Sequence, residues 1–384
     1  MRVGFILFLS FLVYPLFIML IAWLYKHLAK PIFFRQDPEK VHDRMTAVGE
    51  FLGRCKISRA ITSRLFRYDD SSLEQTVLGM RFSNPIGLAA GFDKNAQLMD
   101  ILPSVGFGFE EIGSVTGELC EGNPKPRLWR LPESKGLVVN YGLKNDGCEA
   151  IASRLSQKKF DFPIGISIAK TNSPATVDVE VGISDYEKAF RAFSSIGQYF
   201  TINVSCPNAF GGEPFTDPSR LELLLTRLDA IRTEKPIFLK LPVDFSTTEL
   251  DALVAVAARH RVHGIILSNL TKNRERSEIK PEEISGITKG GISGKPTFDA
   301  SNAQIEHLYK TSGSRFVIMG CGGIFSAEDA YEKIKRGATL VQLITGMIFQ
   351  GPQLIGEINR GLVRLMKRDG FKNIGEAVGS GVRR

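Results

Sequence analysis

An apolar run at residues 199–204 contains Asn203 and leads directly to Cys206 and Asn208. The two asparagine amides both donate and accept hydrogen bonds, so together they can orient a planar amide substrate. Cys206 can accept a proton once it is ionised, and the reference pKa of a thiol, about 8.5, suits this role when a neighbouring cation helps. The spacing therefore predicts a catalytic loop with Cys206 as base. The alternative is a short turn that holds an ordinary buried cysteine.

Two lysines stand at the ends of other apolar runs. Lys94 follows the run at residues 86–90, and Lys240 lies near the end of the run at residues 237–241. A lone lysine in such a place is usually a surface charge. Two lysines that converge on one site could instead hold an electron-rich cofactor such as a flavin and offset the charge on its reduced ring.

Two late segments predict a phosphate site. The glycine-rich residues 320–324 follow one apolar run and precede a helix that begins near Ser326, and Thr345 and Gly346 follow the next run. Glycine lets backbone N–H groups approach a phosphate closely. Tight turns without a ligand are the alternative reading. A third glycine-rich loop lies at residues 290–296.

The elements that must position these residues are apolar, strand-like runs that alternate with helical segments, an order that implies a parallel sheet. The runs end in polar and glycine-rich clusters, as the strands of a (β/α)8 TIM barrel do on its active face. The number of runs, and the lack of a G-x-G-x-x-G turn in the first βα unit, favour the closed barrel over an open doubly wound sheet. The runs lie at residues 86–90, 109–112, 136–139, 164–168, 200–204, 237–241, 264–267, 316–319 and 340–344, and the helices include residues 218–232, 247–259, 303–311 and 327–335.

Length and cysteine content bound the architecture. The chain has 384 residues, more than the roughly 250 of one (β/α)8 barrel, so an N-terminal addition is expected beside a single large core. Its five cysteines are scattered and odd in number, without C-x-x-C spacing. This pattern argues against a disulfide framework or a structural zinc site and predicts reduced thiols.

The net charge of +8, from 49 basic and 41 acidic residues, is concentrated near the N-terminus, where arginines and lysines recur through the first 67 residues. Anionic lipid headgroups are a natural partner for such a basic segment. Nucleic acid is the competing partner, but no recognisable nucleic-acid module accompanies the charge, so none is expected to bind.

Residues 3–25 carry no charge and are rich in Leu, Ile and Phe, with Trp23 and Tyr25 at the far edge. This pattern predicts a transmembrane anchor within residues 1–30. A cleaved signal peptide is the alternative, but the run exceeds the usual apolar region of such peptides and no clear cleavage site follows. Because Lys26, Lys30 and Arg35 follow the span, the positive-inside rule leaves the catalytic domain in the cytoplasm, and a bacterial inner membrane is favoured.

Residues 37–68 predict short amphipathic helices, the first of which begins with Asp37 as N-cap and Pro38 at the first helical position. Apolar residues recur near helical spacing from Val41 to Leu65. These apolar faces could lie on the membrane surface or pack on the barrel. Both arrangements are possible together if the faces leave a slot between them.

Several motifs together resemble one family, the dihydroorotate dehydrogenases, and in particular their membrane-associated, quinone-dependent class. The likeness runs from about Phe34 to the end of the chain. It rests on residues 37–42 (DPEKVH), 84–94 (NPIGLAAGFDK), 106–116 (GFGFEEIGSVT), 122–127 (GNPKPR), 203–208 (NVSCPN), 291–296 (GISGKP) and 340–343 (LVQL).

The resemblance implies a (β/α)8 barrel over residues 73–384 that binds FMN, and a helical subdomain over residues 31–72 that forms a quinone entrance at the lipid bilayer. It implies substrate contacts at Lys94, Asn140, Asn203, Asn208 and Asn269, with Cys206 as the catalytic base. It implies FMN contacts at Ala90, Gly91, Lys94, Ser114, Ser167, Asn203, Lys240, Ser268, Gly294, Gly322, Gly323, Thr345 and Gly346.

The expected reaction is oxidation of dihydroorotate to orotate, with a hydride passed to FMN and electrons then passed to a membrane quinone. The chain departs from the family pattern at five positions: Cys206 replaces the serine base of the quinone-dependent class, Val139 takes the place of a substrate-binding asparagine beside Asn140, and Ser167, Leu270 and Ile344 replace an asparagine, a threonine and an aromatic residue. Two alternatives remain, an FMN oxidoreductase acting on another cyclic amide and an inactive, membrane-tethered flavoprotein.

Overall fold

Eight parallel strands close into a barrel in the computed structural model, which describes residues 19–382. In chain order the strands are β1 (Gln75–Val77), β2 (Met80–Phe82), β3 (Ile86–Leu88), β4 (Phe109–Val115), β5 (Leu128–Leu131), β6 (Gly136–Val139), β7 (Ile164–Ile168), β8 (Tyr199–Asn203), β9 (Ile237–Leu241), β10 (Gly264–Leu267), β11 (Gly291–Gly294), β12 (Val317–Cys321) and β13 (Leu340–Leu343). The barrel is formed by β3, β4, β7, β8, β9, β10, β12 and β13, as the alternating sequence pattern predicts.

Helices connect the barrel strands and cover their outer faces. The helices predicted near residues 218, 247 and 327 are confirmed, and the one predicted at residue 303 begins five residues earlier. The α-helices run over Lys30–Phe34, Pro38–Gly53, Lys56–Phe66, Leu102–Val105, Cys148–Leu155, Val179–Ala192, Pro218–Asp229, Thr247–Ala258, Pro281–Ile284, Phe298–Ser312, Ala327–Lys335, Thr345–Gln350, Leu354–Asp369 and Ile374–Ala377, with a π-helical turn at Tyr25–Ala29.

One predicted strand does not belong to the barrel. β6 pairs antiparallel with β5 and β11 in a separate three-stranded sheet. A short apolar run does not reveal its partner, so the expectation that residues 136–139 join the parallel sheet is wrong. The error matters for function, because this small sheet contributes Leu128, Leu137 and Val139 to the cavity described below.

Large aromatic side chains fill the barrel, and neighbouring glycines make room for them. A Cβ at Gly165 on β7 would lie 2.1 Å from the ring of Tyr199, and a Cβ at Gly264 on β10 would lie 2.2 Å from the ring of Phe238. Both rings are fully buried. The packed interior closes the barrel as a core, so ligands must bind at its mouth.

Two N-terminal helices, Pro38–Gly53 and Lys56–Phe66, form the N-terminal helical pair. The Asp37 side chain accepts a hydrogen bond from the backbone N–H of Lys40 at 2.8 Å, which confirms the predicted N-cap. The first helix is fixed by Glu39 to the segment that leads into β5, because its buried carboxylate accepts two hydrogen bonds from Arg127 at 2.7 and 3.1 Å. Burial raises the pKa of Glu39, but the hydrogen bonds and charge of Arg127 outweigh this and hold it below its usual value.

Some apolar side chains of these helices pack inward, as predicted, and others are exposed. Val41 is buried, whereas Phe51, Ile57 and Ile61 expose 72%, 71% and 56% of their surface. No helix within residues 19–382 is long and apolar enough to cross a bilayer. Most of the predicted span, residues 3–18, lies outside the described residues.

Candidate functional site

Two adjoining cavities lie at the C-terminal ends of the barrel strands. The main cavity has a volume of about 180 Å³ and the glycine cavity about 90 Å³, and they share Lys240, Asn269 and Thr345 on their walls. The predicted site residues that line at least one of them are Ala90, Gly91, Lys94, Ser114, Asn203, Cys206, Asn208, Lys240, Ser268, Asn269, Gly294, Gly322, Gly323, Thr345 and Gly346. Asn140 and Ser167 are not among the lining residues of either cavity.

The amide of Asn203, at the end of β8, is held at both ends. Its Nδ2 donates to Ser114 Oγ at 2.8 Å, and its Oδ1 accepts from the N–H and hydroxyl of Ser205 at 3.2 and 2.9 Å. Ser167 Oγ on β7 lies 2.8 Å from Ser114 Oγ, so Ser167 acts from behind the cavity wall. Three adjacent strands therefore fix the orientation of one amide before any ligand arrives.

Cys206 lies on the wall of the main cavity, but its thiol is not activated as expected. Burial raises the pKa of Cys206 to about 11, opposed by the backbone N–H of Asn208 and the positive charge of Lys170. The expectation that a nearby cation would bring this thiol close to neutrality is wrong, because desolvation of the thiolate outweighs the cation. The cation itself is present: Lys170 is 3% exposed and donates from Nζ to the carbonyl oxygen of Phe210 at 2.7 Å.

Of the other predicted asparagines, Asn208 and Asn269 line the main cavity and Asn140 does not. Asn269 Nδ2 donates to the carbonyl oxygen and hydroxyl of Ser205 at 2.7 and 3.0 Å, and Asn208 Nδ2 donates to the carbonyl oxygen of Val139 at 2.8 Å. Both asparagines line the main cavity. The side chain of Asn140 instead accepts a hydrogen bond from Asn123 at 3.2 Å, so the structure does not bring it to the wall, where Val139 stands in its place.

Lys94 occupies a crowded, charged corner of the main cavity. Its Nζ lies 3.4 Å from His42 Nε2 and 4.1 Å from the centre of the Tyr141 ring. Burial lowers the pKa of Lys94 to about 8, and the charge of Asp43 opposes this shift. The ammonium group is therefore held by an aromatic face and nearby charges in a site from which bulk water is largely excluded.

The glycine cavity is walled largely by backbone, in the loops after the seventh and eighth barrel strands, β12 and β13. Gly322 has φ +118°, which only glycine adopts readily, and a Cβ at Gly346 would lie 1.9 Å from the carbonyl oxygen of Ile324. Ser293 Oγ and Thr345 Oγ1 lie 2.9 Å apart on the wall shared by both cavities. Such a cradle of close backbone and hydroxyl groups suits a phosphate.

A third, apolar cavity of about 150 Å³ is lined by the helix Pro38–Gly53, the segment before it, the small sheet and the loops at the barrel mouth. Its walls include Phe33, Val41 and Met45, and a single arginine, Arg130, whose Nη1 donates to the carbonyl oxygen of Gln36 at 2.7 Å. It shares wall residues with the main cavity, namely His42, Phe92, Leu128, Leu137 and Ile348. An apolar molecule in this cavity would therefore lie directly beside the main cavity.

Four residues of the site were not singled out from the sequence: His42, Arg130, Tyr141 and Lys170. Lys170 follows β7 as Lys94 follows β3, so the same strand-end signal would have found it. The other three come from loops, the small sheet and the helical pair, whose positions the sequence pattern does not specify.

Known proteins resemble this chain in sequence and in fold. The family described as Dihydroorotate dehydrogenase matches residues 72–366. "Dihydroorotate dehydrogenase (quinone)" of Gloeobacter violaceus is 38% identical over 354 residues, covering 92% of this chain and 98% of the relative, and that of Parvibaculum lavamentivorans is 37% identical over 360 residues with the same coverage. A crystal structure of the Eimeria tenella enzyme, in complex with ferulenol, is similar with a TM-score of 0.79 at 26% identity, covering 90% of this chain and 95% of the other.

Proposed function

This chain belongs to the dihydroorotate dehydrogenase family, and from that premise we propose that it oxidises dihydroorotate to orotate and delivers the electrons to a quinone. One observation carries the proposal. Cys206, Asn203 and Lys94 line a cavity that shares walls with a glycine-lined cradle on one side and with an apolar cavity on the other. A proton acceptor, a cofactor site and an exit for electrons are thereby adjacent.

FMN is the cofactor that the two adjoining cavities fit best. The close backbone approach at Gly346, the positive φ of Gly322 and the hydroxyls of Ser293 and Thr345 suit its phosphate. Lys240 is 4% exposed and lies on the wall between the cradle and the main cavity, where its charge would face the flavin ring. Bound there, FMN would supply the acceptor for the substrate hydride and the means to pass electrons on one at a time.

The residues of the main cavity supply proton transfer and orientation. Cys206 takes the proton from carbon 5 of the substrate, and it must be a thiolate when it does so, which its raised pKa makes rare at neutral pH. Asn203 is fixed by Ser114 and Ser205, so it presents the remaining N–H of its amide in one orientation. Lys94 places a positive charge where the substrate carboxylate or ring oxygens bind.

The apolar cavity is the proposed route for the quinone. A quinone ring is flat and largely apolar, and this cavity is walled mainly by aliphatic and aromatic side chains that reach the main cavity. The exposed apolar side chains of the N-terminal helical pair would dip into the bilayer and place the cavity opening among the lipids. On this proposal the protein works at a bacterial inner membrane, with its catalytic domain on the cytoplasmic side.

A second candidate substrate follows from Val139 and Leu270, which both line the main cavity. These apolar side chains reduce the number of hydrogen bonds available to a carboxylated ring, and they favour a cyclic amide without that group. Discrimination between the two substrates depends on paired polar contacts, so the difference should be large.

The decisive experiment adds substrates to the purified flavoprotein without oxygen and records the flavin absorbance. Dihydroorotate should bleach the flavin, and dihydrouracil should not. Bleaching by dihydrouracil alone would replace the proposal with the second candidate. Absence of bleaching by both would leave a flavoprotein without this activity.

A further inference from the structure

Lys333 is a fully buried lysine behind the glycine cavity that the proposed reaction does not use. It belongs to the helix Ala327–Lys335 and is 0% exposed. Its Nζ donates to Ser301 Oγ and to Asn302 Oδ1, both at 2.9 Å. These two partners are neutral, so the cost of burying a positive charge here is not offset by a hydrogen-bonded carboxylate.

A chain of hydrogen bonds links this lysine to the wall of the glycine cavity. Ser301 Oγ donates to the carbonyl oxygen of Cys321 at 2.8 Å, and that carbonyl belongs to the same peptide as the N–H of Gly322. Cys321 and Gly322 both line the cavity. A hydrogen bond to a carbonyl strengthens the donor at the other end of the same peptide, and a charged lysine at the start of the chain would strengthen it further.

Lys333 also lies close to the strand that leads into the cavity. A Cβ at Gly320 on β12 would lie 3.2 Å from Lys333 Cδ, so the lysine stem packs directly on this strand. The charged and titratable groups that face its ammonium are Cys321 on β12, Lys295 in the turn after β11, and Asp329 and Arg336 on or beside its own helix. Asp329 is already paired with Lys295 at 2.6 Å.

We propose that Lys333 is the buried counter-charge of the FMN phosphate and takes up one proton from solvent when the phosphate binds. The inference rests on the proposed FMN site and extends it to a residue outside the cavity wall. Without ligand, the neutral surroundings favour the uncharged amine. A dianionic phosphate bound in the glycine cavity favours the ammonium. Binding of FMN and binding of a proton by Lys333 therefore reinforce each other.

The pKa of Lys333 is consistent with uptake of a proton when FMN binds. Burial lowers the pKa of Lys333 to about 7, opposed by the charges of Cys321 and Asp329. FMN must raise that pKa, since its phosphate is largely dianionic above pH 7. Well below pH 7 the lysine is charged in both states, so its ionisation no longer makes FMN affinity depend on pH. Above pH 7 binding must protonate it, so affinity should fall about tenfold per pH unit until the pKa of the complex is reached.

The test is calorimetric titration of the flavin-free protein with FMN at pH 8 in two buffers of different ionisation enthalpy, which gives the number of protons taken up. Wild type should take up close to one proton with FMN and none with riboflavin, which lacks the phosphate. Lys333→Met should take up none and should bind FMN roughly 50- to 100-fold more weakly at pH 6.5, with a difference that shrinks to about twofold near pH 9. Lys335→Met, on the same helix but partly exposed, should behave as wild type.

The outcomes distinguish failure of the proposed FMN site from failure of the role proposed for Lys333. If FMN does not bind to wild type, the proposed cofactor is wrong. If FMN binds with uptake below about 0.2 proton, or if Lys333→Met keeps the uptake, Lys333 is not the counter-charge. Riboflavin affinity reports whether the variant is folded, and Lys333→Gln, which keeps the polar contacts without a charge, replaces the methionine variant if riboflavin no longer binds.

Discussion

The main cavity and the glycine cavity share part of their walls but differ in what shapes the rest. In the main cavity, side chains with shifted pKa values face the ligand, as at Cys206 and Lys94. In the glycine cavity, backbone and the absence of side chains shape the wall, as at Gly322 and Gly346. Chemistry in the first cavity should therefore respond to charge and pH, and binding in the second should respond to steric volume.

The largest expected effect separates chemistry from binding in the main cavity. Cys206→Ala removes the proton acceptor and should slow flavin reduction by dihydroorotate by about 10²- to 10⁴-fold, the usual contribution of a general base. FMN content should be unchanged, because the glycine cavity is intact. Stopped-flow absorbance with Cys206→Ser as the conservative control checks both points, and an unaltered rate in the alanine variant would remove Cys206 from the mechanism.

The converse variant disturbs binding in the glycine cavity. Gly346→Ala places a Cβ 1.9 Å from the backbone oxygen of Ile324, which cannot move aside cheaply. Overpacking of this kind costs roughly 1–3 kcal/mol, or about 5- to 150-fold in the Kd for FMN. Fluorescence titration of the flavin-free protein measures it. Gly375→Ala, where the one neighbour within 4 Å is Asn373 Oδ1 at 3.2 Å, is the matched control and should bind FMN normally.

A smaller effect tests the charge that faces Cys206. Because burial has raised the Cys206 pKa to about 11, flavin reduction should quicken as pH rises toward that value. Lys170→Met removes the cation that opposes the shift, so the pKa should rise further and the rate at pH 8 should fall roughly tenfold. Lys170→Arg keeps the charge and should recover most of the rate.

The rate of thiol alkylation provides a second readout for the same variant. It follows the thiolate fraction directly and does not depend on turnover. If Lys170→Met slows flavin reduction but leaves the pH profile of Cys206 alkylation unchanged, Lys170 only orders the loop through its bond to Phe210.

The smallest effect is expected from substitutions on the N-terminal helical pair, which leave the main cavity and the glycine cavity intact. Phe51→Ser combined with Ile57→Ser removes exposed apolar surface from the N-terminal helical pair. We expect about fivefold lower kcat/KM for a long-chain quinone presented in anionic vesicles, with flavin reduction by dihydroorotate unchanged, since the two side chains together contribute on the order of 1 kcal/mol when only partly buried in lipid. Leu223→Ser, half-exposed on the barrel, is the control. Equal losses in both variants would argue against a membrane-facing role.

The candidate site was predictable wherever a residue stood at the end of a periodic apolar run. Asn203, Lys240 and Thr345 are of this kind, because strand ends meet at one face of a parallel barrel. Asn140 was expected to contact the substrate but does not line either cavity, because its run forms part of the small antiparallel sheet and Val139 lines the wall instead. His42 and Arg130 reach the site from segments whose placement depends on long-range contacts.

The sequence by itself determined the barrel, the N-cap of the first helix at Asp37 and the glycine-rich cradle, because local periodicity, capping and backbone freedom are properties of neighbouring residues. The tertiary structure alone decided the ionisation of Cys206 and Lys333 and the meeting of the apolar cavity with the main cavity. A pKa depends on how much water and which charges surround a group, and those neighbours come from distant parts of the chain.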